Sequence, residues 1–298
     1  MSLTAFLLIF ISVFLHAGWN FLSKAYRPSI AFFMLANSSI ALAALPFVCL
    51  ADIHWSGIKP EFYLLLAGSI FFEVLYAIGL ANAYKKQDIS VAYPLARALP
   101  VLMVALVTLV FRLGEIPAAT AWAGFAVVAA GCVILPQESL KALKFSGFIK
   151  SVSGAILLAA IGTTGYTVID NEATAELLRH SASGKNMTLG VYLCLMETGV
   201  ALVLATLVML SKRERGELKK SCRSWAPYMC GIFSGAAYLL ILAAMRFVTN
   251  VSFLQAFRQM SLPLGVAMGV VILREKLSLP KIIGTVFIVG GLMLTVLK

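Results

Sequence analysis

The sequence predicts an all-α membrane protein of ten transmembrane helices in two inverted five-helix repeats. Three observations lead there: composition, segmentation and self-similarity. Of 298 residues, 61% are hydrophobic and 12% charged, with a mean hydropathy of +0.94, whereas a soluble domain is about 45–50% apolar and about 25% charged. Disorder, collagen-like sequence and a disulfide scaffold are excluded. The five cysteines are scattered, without a Cys-x-x-Cys pair or a neighbouring histidine to complete a metal site.

Apolar stretches between charged or turn-rich breaks give ten segments. The first five run from Leu3 to Leu22, Ile30 to Ala51, Phe62 to Tyr84, Ile89 to Phe111 and Ala118 to Pro136. The second five run from Ser151 to Ile169, Thr188 to Leu210, Trp225 to Val248, Val251 to Leu273 and Leu279 to Leu297. Each is long enough to cross a bilayer as a helix, which needs about 20 residues. The alternation of a membrane β-barrel is absent, and helices satisfy their own backbone in lipid. The first segment lacks the basic start of a cleavable signal peptide and is expected to remain. The longest connections, Asp170 to Met187 and the basic Ser211 to Ser224, read as surface loops. The expected division is a first repeat over 1–136, a connection over 137–150 and a second repeat over 151–298.

The repeat is visible in the residues. Asp88-Ile89-Ser90 faces Asn250-Val251-Ser252, Leu99-Pro100 faces Leu262-Pro263, and Glu115, Gly124 and Gly131 face Glu275, Gly284 and Gly291. An odd number of helices per half sets the halves in opposite directions, the inverted arrangement that places a transporter's substrate near the midplane.

These features resemble the EamA-type transporters of the drug/metabolite transporter superfamily. The resemblance spans the whole chain. It rests on Gly18-Trp19-Asn20 with Lys24, on the proline-bearing fourth and ninth helices, and on Arg-Leu-Gly-Glu-Ile-Pro (112–117) and Leu-Arg-Glu-Lys-Leu (273–277) before the fifth and tenth. It implies transport of a small metabolite, with helices 1, 3, 4, 6, 8 and 9 around a central cavity and 5 and 10 as outer scaffold. His16-Ala17-x-Trp19-Asn20 also resembles a branch associated with phosphonate utilisation.

The net charge of +11 reflects topology and lipid headgroups rather than nucleic acid. Sixteen basic residues fall in or beside odd-numbered loops, among them Lys24, Lys85, Lys212, Lys219 and Lys281, against six in even loops and termini. By the positive-inside rule both termini lie outside, whereas the resembling family is usually described with both inside. A bacterial inner membrane, as monomer or homodimer, is the expected setting.

Two arginines lie within spans, Arg97 and Arg258, at matching places in the two repeats. A charge at the bilayer centre costs at least about 2.5–3.5 kcal/mol and should face a cavity or partner. Arginine keeps its proton and offers a planar fork for carboxylate or phosphate, so a converging pair would bind an anionic group. The competing reading pairs Arg97 with Glu73, and Arg258 with Glu197 or carbonyls freed by Pro263. Glu73 shares a face with Ser69 and Tyr76 and is a proton-coupling candidate, as is His16; a fixed counter-ion is the other role for Glu73. Glu197 reads as an interhelical partner, because the resemblance places the seventh helix away from the cavity. His16, Trp19 and Asn20 share one face of the first helix. Tyr93, Tyr76, Tyr166, Tyr238, Gln255 and Gln259 are expected to supply walls and hydrogen bonds for a ligand. Pro94, Pro100 and Pro263 are expected hinges, and the glycines of helices 5 and 10 packing contacts.

The function expected is a secondary transporter of a small polar, anionic metabolite, an amino acid, organic acid or phosphonate-like compound, by alternating access. Neither cofactor nor metal is expected, and no Walker loop indicates ATP hydrolysis. A rival is proton-coupled export of cationic or hydrophobic drug-like compounds through Glu73; another is a non-transporting scaffold or accessory subunit. An intramembrane enzyme would need a nucleophile and base or a metal motif, and no such set is present.

Overall fold

The computed structural model describes residues 3–26, 28–111, 119–140, 152–244 and 260–296. Eleven α-helices are described: α1 (Leu3–Ala25), α2 (Ile30–Leu50), α3 (Pro60–Lys86), α4 (Ile89–Phe111), α5 (Ala119–Ile134), α6 (Gly154–Arg179), α7 (Lys185–Leu210), α8 (Lys212–Ser221), α9 (Ala226–Ala244), α10 (Ser261–Val271) and α11 (Leu279–Val296). Among the described residues, five helices are long and apolar enough to cross a membrane, and four shorter ones, α5 and α9 to α11, are also apolar. Leu64, Leu202 and Leu210 leave 65–77% of their surface uncovered, an outward apolar girdle that suits lipid rather than water.

Local chemistry sets the helix starts. Ser29 Oγ accepts the Phe32 N–H at 3.0 Å as the N-cap of α2, Ser153 caps α6 in the same way, and Pro60 occupies the first turn of α3, where no N–H is needed. Two expectations about loops fail. Helix α6 runs past Ile169 to Arg179, because the polar 170–179 stretch is rich in good helix formers, Glu172, Ala173, Ala175, Glu176, Leu177 and Leu178. Ala173 and Leu177, one turn apart, are fully buried there. The basic 211–224 segment holds α8, started by a capping-box pattern in which Ser211 Oγ accepts the Glu214 N–H at 3.3 Å.

Eight helices form a closed ring in the order α1, α9, α2, α7, α3, α6, α4, α10 and back to α1. α5 and α11 pack on each other outside the ring, against α4 and α10, as expected of an outer scaffold. The reason is glycine: a Cβ on Gly124 would sit 2.7 Å from Gly291 O, and one on Gly284 would sit 2.5 Å from Leu135 Cα. Close backbone approach is how membrane helices gain contact without a hydrophobic driving force. The α3–α6 pair uses the same device, through Gly79 against Ala159 and Gly162 against Tyr76.

Polar contacts tie the two ends of the ring differently. At one end, Lys24 Nζ donates to the carbonyl of Tyr84 at 2.7 Å, Glu275 accepts from the Ile89 and Ser90 N–H groups, Lys281 pairs with Asp88 at 3.2 Å, and Glu214 accepts from the Ala31 N–H and pairs with Lys85. At the other, residues 52–54 meet 180–183: His54 N–H donates to His180 O at 2.9 Å, Ala182 N–H to Asp52 O at 3.0 Å, and Ile53 bridges Ser181. The C-terminus of α1 therefore lies at the first end and that of α6 at the second. Likewise α2 starts where α7 finishes.

Pro94 and Pro100 lie inside α4 as expected. Pro263 differs. Helix α10 begins at Ser261, so Pro263 sits in its first turn, where proline breaks no helical bond; it is not an interior kink of the described helix.

Candidate substrate cavity

A cavity of about 270 Å³ opens at mid-depth of the ring, walled by residues of α1, α2, α3, α4, α6, α7 and α9. Glu73 lies midway along α3, Glu197 midway along α7 and Arg97 in the first half of α4, and all three line it. His16, Trp19, Tyr76, Tyr166 and Tyr238, all expected at a binding site, are on the same wall. A smaller void lies beside it, lined by Asn20, Tyr93, Tyr84 and Thr163 and sharing Tyr76, Arg97 and Tyr166 with the larger one. Arg258, Gln255 and Gln259 lie outside the described residues.

Helix geometry explains the convergence. Glu73 and Tyr76 are three residues apart on α3, and Tyr166 lies on the α6 face that packs against them; the two tyrosine rings meet edge to face, with centroids 6.1 Å apart. Trp19 Nε1 donates to His16 Nδ1 at 3.0 Å. Indole nitrogen only donates, so His16 Nδ1 accepts and its proton resides on Nε2. A second proton on Nδ1 would have to break that bond.

The polar motif of the first helix is structural as well as cavity-lining. Asn20 Nδ2 donates to His16 O at 2.9 Å and Asn20 Oδ1 accepts from Tyr84 OH at 2.7 Å, which fixes the Trp19 turn against α3. Tyr93 OH bonds with Ser261 Oγ at 3.0 Å, joining α4 to α10. Asn20 and Tyr93 are each 1% exposed, so their polar groups are already spent on the protein.

Among the described residues, Arg97, Glu73 and Glu197 make no ion pair with one another or with any other side chain. Glu197 Oε2 is buried with no hydrogen-bond partner among those residues. The Arg97–Glu73 ion pair of the competing reading does not form among the described residues. Glu197 also departs from its expected place: the resemblance set helix 7 away from the cavity, yet helices 2 and 7 both contribute wall, through Phe33, Ala36, Asn37 and Ile40 and through Glu197. Their packing on each other closes the ring at the cavity.

Asp170 was not singled out in the sequence, because it opens a charged stretch that reads as a loop. It lies on α6, where its Oδ1 accepts from Tyr192 OH at 2.6 Å and from Ser69 Oγ. Its position four residues after Tyr166 was the signal available.

A chain whose described residues are helical, with several helices able to cross a bilayer ringed about a polar cavity, is an integral multi-pass membrane protein. Residues 150–297 match the model of the EamA-like transporter family, so the second half of the chain belongs to that family, within the drug/metabolite transporter superfamily. Its members are membrane transporters, not enzymes. A crystal structure of a protein is similar over 99% of this chain and 96% of its own, at 16% identity and a TM-score of 0.51, a likeness of fold. No curated protein matches the sequence.

Proposed function

We propose that the protein is a secondary transporter that carries a small polar metabolite by alternating access, with Arg97 receiving an anionic group of the substrate. One observation carries this reading: Arg97, Glu73 and Glu197 open into a single cavity without pairing among themselves. Charges at membrane depth without a protein partner need water, protons or a ligand to offset their desolvation, which amounts to several kcal/mol per ion. The aromatic walls and the cavity size suit a molecule of amino-acid, organic-acid or phosphonate dimensions. Glu73 is the proposed coupling acid, and Arg258, by its place in the repeat, the proposed second anion contact.

The ring supports a reading of ten spans in two inverted five-helix repeats. Exchanging α1 with α6, α2 with α7, α3 with α9, α4 with α10 and α5 with α11 carries the pairing pattern onto itself. The end-to-end contacts support the inversion, since α1 and α6 finish at opposite ends. The end holding Lys24, Lys85, Lys219 and Lys281 is the cytoplasmic one by the positive-inside rule, in a bacterial inner membrane.

A second reading draws on charge balance: two carboxyls face one guanidinium among the described cavity residues, which favours a cation or drug-like cation exchanged for protons at Glu73. Thermal stabilisation of the purified protein by L-alanine, succinate, methylphosphonate and tetraphenylphosphonium separates the two. Stabilisation by an acid or phosphonate that Arg97→Gln abolishes supports the anion reading. Stabilisation by tetraphenylphosphonium alone, lost on Glu73→Gln and kept on Arg97→Gln, replaces it with the cation reading.

A further inference from the structure

We infer that Asp170 is a proton-carrying site, the outermost of three carboxyls on α6, α7 and α3 that pass a proton between one end of the ring and the cavity. The inference deepens the transport reading and rests on it for its purpose, though not for its chemistry.

Three helices place the same feature one turn from the cavity. On α6, Asp170 follows the cavity residue Tyr166 by four positions; on α3, Ser69 precedes Glu73 by four; on α7, Tyr192 precedes Glu197 by five. The two four-residue spacings return to the same helix face, and the hydrogen bond of Tyr192 to Asp170 ties α7 into the cluster. The three meet at one atom, Asp170 Oδ1, which accepts from Ser69 Oγ and from Tyr192 OH at 2.6 Å. Ser69 is fully buried and lies 3.5 Å from Met196 Sδ. Asp170 is thus fixed between the cavity and the end where residues 52–54 meet 180–183.

The charged and titratable groups that act on it are Glu73 on α3, Tyr192 and Glu197 on α7, and Tyr166 on its own helix. Asp170 interacts electrostatically with both Glu73 and Glu197. Among the described residues no lysine, arginine or histidine pairs with it; the nearby Arg179 and His180 bond Glu176 instead. Two neutral hydroxyls therefore hold a carboxyl that faces two further carboxyls. A scaffold role would be filled as well by asparagine, without the desolvation cost of a charge.

The transfer balances without a co-reactant. Protonated Asp170 gives its O–H proton to ionised Glu197, whose Oε2 has no hydrogen-bond partner among the described residues; one O–H bond breaks, one forms, and the negative charge moves outward by one carboxyl. Glu197 then stands on the cavity wall with Glu73. Ser69 and Tyr192, each able to donate and accept, are the hydroxyls that can relay the step.

Infrared difference spectroscopy of the detergent-purified full chain, titrated with protons alone, tests the assignment. The expected result is a protonated-carboxyl band that titrates in the wild type and disappears in Asp170→Asn, which keeps an acceptor for Ser69 and Tyr192. A titration indifferent to that substitution overturns the inference. Tyr192→Phe keeps the carboxyl and removes one donor; it is expected to move the titration midpoint, and an unmoved midpoint counts against the cluster. In proteoliposomes, Asp170→Asn is expected to keep counterflow of L-alanine, succinate or methylphosphonate while losing accumulation driven by a pH gradient. Wild-type accumulation in the variant overturns the inference. A wild type without counterflow of any probe defeats the transport reading instead, and the infrared result still decides the carboxyl.

Discussion

The Glu275 carboxylate, in the loop before the last helix, accepts the backbone N–H of Ile89 at 2.7 Å, so a residue of the second half completes the start of a helix in the first. Its other oxygen takes the Ser90 N–H at 3.0 Å. Arg274 adopts a left-handed φ of 57° just before it, the turn that sends the carboxylate back towards α4. An acid at a helix N-terminus satisfies orphan N–H groups and meets the helix dipole. Glu275→Ala is expected to cost about 1–3 kcal/mol of stability, and Glu275→Gln less, read as the unfolding midpoint in detergent. An unchanged midpoint for the alanine variant would show that the cap is dispensable.

Adjacent glycines of α11 should behave oppositely. A Cβ at Gly291 would come within 2.7 Å of Gly124 O and Val128 N, whereas one at Gly290 meets nothing within 4 Å. Gly291→Ala should therefore destabilise by about 1–3 kcal/mol, the usual cost of overpacking. Gly290→Ala should be neutral or stabilise by up to about 1 kcal/mol through reduced backbone freedom. Thermal unfolding of the two variants side by side gives the comparison; equal effects would contradict the α5–α11 contact.

In the cavity, Arg97→Gln removes a charged donor while keeping a polar side chain. A charge-assisted hydrogen bond is worth about 1.5–3 kcal/mol, so affinity for an anionic ligand should fall by about tenfold to a hundredfold. Titration calorimetry with the ligand that stabilises the wild type provides the measurement. Unchanged affinity would remove Arg97 from the binding site.

Acid should loosen the end of the ring where residues 52–54 meet 180–183. Glu176 lies on the last turn of α6, beyond the apolar run, and bonds Arg179 at 2.6 Å and His180 at 3.2 Å. Burial pushes its carboxyl up, but the bonds from Arg179 and His180 and the charge of Lys59 outweigh it and hold the group below its ordinary value of 4.5. A depressed folded value means the contribution is fully present above that ordinary value and is lost as pH falls through the folded one. Hydrogen-exchange protection of the His54 and Ala182 amides should hold at neutral pH and decline in acid below that ordinary value. In Glu176→Gln the decline should be absent; the same acid dependence in both proteins would assign it to another group.

The legibility of the molecule varied with the range of the interaction. Apolar runs marked the helices because lipid imposes a length and a composition on each one locally. Capping and propensity were also local, and α8 was readable from Ser211 and Glu214 even though a basic stretch suggested a loop. The end of α6 was misread for the opposite reason: hydropathy falls after Ile169, while helix propensity continues to Arg179.

What the sequence determined by itself was therefore the solvent, the helices and the ionisable residues that lipid would reject: His16, Glu73, Arg97 and Glu197 are named by their depth alone. Tertiary structure decided which of them share a space. The ring order brings α7 beside α3 and so sets Glu197 on the same wall as Glu73, and it delivers Ser69 and Tyr192 to Asp170 across three helices. Spacing along a chain specifies a helix face, but not which neighbour that face meets. That choice comes from glycine-permitted backbone approach between distant segments, as at Gly79 on Ala159 and Gly162 on Tyr76.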